Sequence, residues 1–309
     1  MSAAPRRQLG FHVDRLWARG DLAAHIRTAA KFAANMRPDA QFAFQVFIAG
    51  PRTRKMLLDA ESAMPVRAAI SELGAWGVAH GTFQDVPWNG SPHACSFIRE
   101  ELEMALFVGL RGVVIHLGAP DAPAVMAILP RLMIDEALVG RCRAAGCRVY
   151  LEVPHVKPNK SHYETPEKLA ALFKLVRTLD PDLKFFGLCI DTAHLWSCGA
   201  NIASRAEAQD WFARLEAVHD VIPPAAIMFH LNDNRHSKGS GMDNHMELFG
   251  GAIWGEYTHD PASSGLAAVL DYARRFNIPT VLERKDPSKP KNPQDVLTRD
   301  YESLAQLDF

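Results

Sequence analysis

No part of this chain strings together the roughly 18 apolar residues that suggest a membrane-crossing helix, so no span is expected. The opening residues, MSAAPRRQLG, hold two arginines with no apolar stretch behind them, and no secretory signal is expected either. Cysteine is sparse: Cys95, Cys142, Cys147, Cys189 and Cys198 are odd in number and nowhere spaced as CxxC. That argues against a disulfide framework or a cysteine zinc finger, and for a soluble protein of a reducing, intracellular compartment. Positive charge is not in excess. Lys and Arg number 34 against 35 Asp and Glu, a net charge of -1, so any hold on nucleic acid must come from local clustering. A glycine-rich phosphate fingerprint is missing after the first strand-like segment. No Pro-, Gly- or Ser-rich linker and no low-complexity stretch divides the chain.

What is present is a rhythm. Short apolar segments rich in β-branched or aromatic residues recur as LGFHV (9–13), FAFQVFIA (42–49), WGVAHGT (76–82), GVVIHLG (112–118), CRVYLEV (147–153), FGLCID (186–191), AAIMFHL (225–231) and IPTVLE (278–283). Helical periodicity fills the gaps. Thr165 and Pro166 form an N-cap and first-turn pair, after which Leu169, Leu172, Phe173, Val176 and Leu179 share a face. Asp21 opens another helix that stops before Pro38, and Asn292 with Pro293 opens the last. Continuous apolar strands belong to a parallel sheet covered on both faces. At 309 residues with 48% hydrophobic composition, eight such units predict one α/β domain spanning 1–309, a (β/α)8 TIM barrel. The connection from Asn232 to about Pro261 is too long for a plain turn and is expected to be functional.

Chemistry in such a barrel gathers at the C-terminal ends of the strands. Those ends read His80, His116, Glu152, Asp191, His230 and Glu283, with His194 just past the sixth strand and Asp243 and His245 in the long connection. One histidine at a strand end is commonly a satisfied polar cap, and D-x-H alone means little in a loop. A glutamate such as Glu283 could simply pair with Arg284. The joint pattern is different, because carboxylates that close cannot all ionise without cations. Nitrogen and oxygen donors suit zinc, manganese or iron, and nine of them suit two or three ions. Asp191 would then be compensated by one ion and His194 would hold a neighbouring one. Such a cluster fits phosphoryl chemistry.

The motifs GFHV, FQVFIAGPR, IHLG, CIDTAH, FHLND, DNH, GGAIWG and PTVLE, in this order, resemble those of the endonuclease IV family of abasic-site (AP) endonucleases. That family lies within the xylose-isomerase-like barrel group. The resemblance implies three zinc ions, with manganese or iron able to stand in. His80 and His116 would hold the first, and Glu152 would bridge to the second. Asp191, His230 and Glu283 would complete the second, and His194, Asp243 and His245 the third. It further implies hydrolysis of the phosphodiester 5′ to an abasic site in double-stranded DNA, leaving a 3′-hydroxyl, with 3′-phosphodiesterase activity beside it. Glu152 would be the orienting group or base, and Glu283 the second catalytic carboxylate. Arg52 would push into the duplex and Phe83 would stack in the gap. Departures fall in loops: VPHVKPNKSHY replaces the family's Gly-rich turn, LFGGAIWG is looser, and HVDRLW lacks small residues.

In a barrel, the loops on that side carry Arg15, Arg52, Arg54, Lys55, Lys157, Lys160, Arg235, Lys238, Arg284, Lys285, Lys289 and Lys291, able to neutralise backbone phosphates. Trp88, Tyr163 and Trp196 are further stacking candidates, each also a candidate packing residue. The rival readings are a metal-dependent sugar isomerase or epimerase, using Glu152, Asp191, His230 and Glu283 alone, and a non-catalytic barrel that binds damaged DNA. A monomer is the default.

Overall fold

The computed structural model describes residues 7–14, 21–83, 87–160, 163–284 and 293–309. Within them eight parallel strands close into a barrel: β1 (Gln8–His12), β2 (Gln41–Val46), β3 (Trp76–His80), β4 (Gly112–His116), β5 (Arg148–Glu152), β6 (Phe186–Asp191), β7 (Ile227–His230) and β8 (Thr280–Leu282). Each neighbours the next in chain order, and β1 pairs with β8 to shut the ring. Helices lie between the strands, so both strand faces are dry and the apolar runs need no polar alternation. No helix among the described residues is long and apolar enough to cross a membrane. The five cysteines are free and buried.

Capping starts the helices where short polar side chains announce them. Asp21 accepts the N–H of Ala24 at 2.9 Å ahead of the helix Leu22–Met36. Thr165 accepts that of Lys168 ahead of Pro166–Val176. On that helix Leu169, Leu172, Phe173 and Val176 are fully buried, each worth about 1.5–3 kcal/mol of transfer free energy. Leu179 lies past its end and is only partly buried. The last helix is Pro293–Gln306; Asn292, its expected cap, lies outside the described residues.

One expectation is corrected. The second strand ends at Val46 rather than at Ala49. Ile48 and Ala49 are still buried, but they pair with Leu57 and Met56 across a turn. An apolar run reads as a strand whatever partner it finds. The connection after β7 is also well organised. Asp233–Asn234 and His245–Met246 form a short antiparallel pair. The Asp233 carboxylate, wholly buried, accepts the backbone N–H groups of Asn234, Gly251, Ile253 and Trp254 at 2.7–3.4 Å. Burial lifts this carboxyl to about 6 against the pull of those four donors. A Cβ on Gly251 would lie 2.4 Å from Asp233 Oδ1 and 2.5 Å from Asn234 O, so this turn admits no side chain there.

Candidate metal centre

The barrel interior is plugged by Ala43, Trp76, Val78, Val114, Tyr150, Cys189, Met228 and Val281. Side chains on a strand return to the same face every second residue. Counting two residues on from Ala43, Val78, Val114, Tyr150, Cys189, Met228 and Val281 gives Gln45, His80, His116, Glu152, Asp191, His230 and Glu283. One tier of polar side chains therefore sits directly above an apolar floor. Strand register aligns it, with His116 opposite Glu152, Asp191 opposite His230, and His12 opposite Gln45.

A second tier comes from the loops. Asp191 Oδ1 accepts the backbone N–H of His194 at 3.0 Å, capping the short helix Thr192–Ser197 and holding His194 over the tier below. The antiparallel pair carries His245 to within 3.5 Å of Asp191 Oδ2, and Asp243 lies 2.7 Å from His245 Nε2. All nine residues singled out from the sequence as ligands thus converge on one mouth. Eight of them fall into overlapping sets able to hold metal: His80, His116 and Glu152; Glu152, Asp191, His230 and Glu283; and Asp191, His194 and His245, with Asp243 beside the last at 3.6 Å from His194 Nε2. Glu152 and Asp191 are shared between sets.

The donor atoms fit a metal on physical grounds. His80 Nδ1 and His194 Nδ1 each lie 2.7 Å from a carbonyl, of Gly81 and Val153. A carbonyl can only accept, so each Nδ1 carries the proton and Nε2 is free for a ligand's role. Glu152 Oε2, His194 Nε2 and both ring nitrogens of His245 are buried without a hydrogen-bond partner. Orphaned polar atoms in such number are costly unless a cation satisfies them. Glu152 Oε2 is 3.0 Å from His116 Nε2 and 3.7 Å from His80 Nε2, while Oε1 is 2.9 Å from His230 Nδ1.

Electrostatics point the same way. Burial alone would raise the Glu152 carboxyl; the imidazoles of His116 and His230 overcome it and hold the group well below the carboxylate range. Glu283 falls to about 2, burial again outweighed by His230 and His245. Burial would lower His194, yet Asp191, Asp243 and Glu152 lift it well above its usual value. Imidazolium thus supplies the positive charge where no cation does, and a metal ion would displace those protons. Cys189 also reaches Glu152 and His230, but burial pushes its thiol to about 12, so it offers no thiolate.

Above the tiers lies a cavity of about 310 Å³ lined by His12, Phe47, Arg52, His80, Phe83 and His116, among others. Phe83 is 41% exposed there, its ring 4.8 Å from that of His80 and 5.8 Å from that of Phe47. Arg52, Arg54, Lys55, Lys157, Lys160, Arg235 and Lys238 are exposed; Arg15, Lys285, Lys289 and Lys291 lie outside the described residues. Arg284 is corrected. Its Nε binds Asp300 at 2.6 Å, and its Nη1 donates to Asn232 Oδ1 at 2.9 Å and to the Glu283 backbone carbonyl at 3.1 Å, so its ion pair is with Asp300 and not with the Glu283 carboxylate. Tyr163 and Trp196 are buried and donate to the carbonyls of Pro120 and His236, and Trp88 donates to that of His116; these rings pack and do not stack.

Sequence reasoning missed Gln45, His12, Thr192 and Asn232. Asn232, wholly buried, donates to Asp191 Oδ2 at 2.7 Å and accepts the N–H of Glu283 at 2.9 Å, tying β6 to the end of β8. Thr192 takes the N–H of Asn232 at 2.8 Å. The two-residue count from the plug would have found Gln45, and the β1–β2 register then brings in His12 opposite it. His155 stands at the rim with its ring 5.0 Å from that of His194 and 5.8 Å from that of His116. Burial lowers it to about 4.

Residues 42–260 match the xylose isomerase-like TIM barrel family. The chain belongs to that family. Within it, a probable AP endonuclease of African swine fever virus is 40% identical over 264 residues, 85% of this chain and 85% of that one. That similarity groups this family member with the AP endonucleases. The crystal structure of AsfvAP:AG superposes with a TM-score of 0.88 at 36% identity, over 99% of this chain and 100% of that one. Endonuclease IV from Thermus thermophilus has a TM-score of 0.69 at 22% identity, over 98% and 100% of the two chains, a likeness of fold.

Proposed function

We propose that this chain is a zinc-dependent AP endonuclease that hydrolyses the phosphodiester 5′ to an abasic site in duplex DNA and leaves a 3′-hydroxyl, with 3′-phosphodiesterase activity at the same centre. The observation that carries the reading is the set of three overlapping donor groups sharing Glu152 and Asp191 in one mouth. His80, His116 and Glu152 would hold one ion, Glu152, Asp191, His230 and Glu283 a second, and His194, Asp243 and His245 a third. When bound, the cations would supply a nucleophile from water at neutral pH and offset the charge that builds on phosphate and leaving oxygens.

The chain's own residues do the rest. Glu152 sits between His116 and His230 and orients both imidazoles. The cavity under Phe47 and Phe83 has room for an extruded sugar phosphate. An abasic nucleotide has no base pair to break, so it enters at less cost than an intact one. Phe83 would cover the gap left in the base stack, and Arg52 with its basic neighbours would hold backbone phosphates. A sugar isomerase would need only the Glu152–Asp191–His230–Glu283 group and leaves the other two unused.

The deciding assay is incubation of metal-loaded protein with a duplex carrying one tetrahydrofuran abasic analogue, without added magnesium. A single nick with an extendable 3′-hydroxyl is expected, from protein holding more than one zinc. Intact duplex, or one exchangeable magnesium per chain, would refute the reading.

The rim residues bear a smaller prediction. Phe83→Ala should weaken abasic-duplex binding by about 10-fold, as the loss of one base–aromatic stack implies. Its melting temperature should not move, since this ring is already 41% exposed. Equal affinity for abasic duplex by fluorescence anisotropy would remove Phe83 from the interface.

A further inference from the structure

We propose that Gln45 is a positioning residue of the centre, setting which nitrogen of His230 and which oxygen of Glu283 face the cation; the inference rests on the metal-centre reading above. Gln45 is wholly buried, the β2 member of the polar tier, and was not legible as a functional residue. Its carboxamide reaches three groups. Oε1 lies 2.9 Å from His230 Nε2, and Nε2 lies 2.5 Å from Glu283 Oε1 and 3.2 Å from His12 Nδ1.

Chemistry permits one orientation of that amide. A carboxylate accepts only, so the amide nitrogen must face Glu283, and the amide oxygen must then face His230. The oxygen can only accept, which places the His230 proton on Nε2. His230 Nδ1 is left facing Glu152 Oε1 at 2.9 Å, Glu283 Oε2 at 3.3 Å and Asp191 Oδ2 at 3.8 Å, donating to them while no cation is present and free to act as the ligand once one displaces that proton. His80 and His194 do the reverse: backbone carbonyls hold Nδ1 and leave Nε2 inward. For His230 the side-chain amide serves in place of such a carbonyl.

The other end of the amide sorts the oxygens of Glu283. Oε1 is taken by Gln45, leaving Oε2 to face His230 and His245, the latter at 3.8 Å. The two amide hydrogens have two acceptors, Glu283 Oε1 and His12 Nδ1. His12 therefore keeps its proton on Nε2 and stays neutral, in keeping with its fall to about 4 on burial. One side chain thus orders three ring or carboxyl groups from three strands, and only a group both donating and accepting at that reach can do so.

The test uses full-length Gln45→Met, which keeps the side chain's length and removes its hydrogen bonds, and Gln45→Asn, which keeps the amide one methylene too short. Zinc affinity is measured by chelator competition, and the site geometry by the visible spectrum of the cobalt-substituted protein. Affinity for one ion should fall by about 10–100-fold, the usual cost of removing a group that orients a ligand. The cobalt spectrum should shift, and kcat should drop with KM unchanged. In a His230→Ala background the Gln45 substitution should cost less than it does in the wild type, the remainder acting through Glu283, as expected of residues acting through one another. Should Gln45→Met fail to fold, Gln45→Asn decides. Wild-type zinc affinity and an unaltered cobalt spectrum in either folded variant overturn the proposal. If the wild-type chain itself takes up no zinc, the metal-centre reading is what fails.

Discussion

Glu152→Gln is expected to lower single-turnover nicking of the tetrahydrofuran duplex by about three orders of magnitude, some 4 kcal/mol of transition-state stabilisation. The size follows from position. Glu152 is the one residue shared by the His80–His116 set and the Asp191–His230–Glu283 set. An amide keeps the shape and so the barrel, but loses the charge that faces His116 and His230 at 3.0 Å and 2.9 Å. Two ion sites are weakened at once, so metal content should fall with activity. Far-UV circular dichroism should match wild type. Activity within tenfold of wild type, at full metal content, would show that Glu152 is only a core carboxylate held by histidines. Phe83→Ala offers the contrast: it should change substrate affinity and leave metal content alone.

Stripping the metal should lower the melting temperature by roughly 8–16 °C, and by more as pH rises. A ligand present at a thousand times its dissociation constant stabilises by about 4 kcal/mol, and each kcal/mol moves a large domain by about 2–4 °C. The pH trend comes from the histidines. In the stripped protein His194 and His230 have folded-state pKa values well above 6.5. Such a group contributes stability that is fully present below its unfolded pKa and lost as pH rises through the raised folded value. Glu152, Glu283 and Asp243 are shifted down, so their contribution disappears only in acid. The stripped protein should therefore weaken on the alkaline side, where deprotonated imidazoles no longer offset the carboxylates. The loaded protein keeps its cations there. Zinc titration of stripped protein in weak buffer should also release protons, which a pH indicator reads directly. A melting gap that stays flat between neutral and alkaline pH, with no proton release, would mean that the carboxylates are not compensated in this way.

The site was legible in the sequence to the extent that it uses residues that advertise themselves. A histidine or carboxylate closing an apolar strand is out of place, and His80, His116, Glu152, Asp191 and His230 were found that way. Gln45 was not, because a neutral amide inside an apolar run carries no charge to explain. Misjudging the end of β2 compounded it: Val46 to Ala49 prolong the run, so the strand's last polar residue was read as interior. Arg284 was misplaced for another reason. Its partner Asp300 is 16 residues on, on the last helix, and nothing local announces the pair.

The chain's own order of residues was enough to establish eight alternating units, their caps, and a rim of metal-type side chains, because period-two and helical spacing are local properties. Only the closed barrel decided which side chains meet. Distances of 3–4 Å between residues on different strands depend on shear and register, which no single segment encodes. The same closure settled protonation: His230 bears its proton on Nε2 because β2 brings Gln45 beside it, and a histidine read in isolation has no preferred nitrogen.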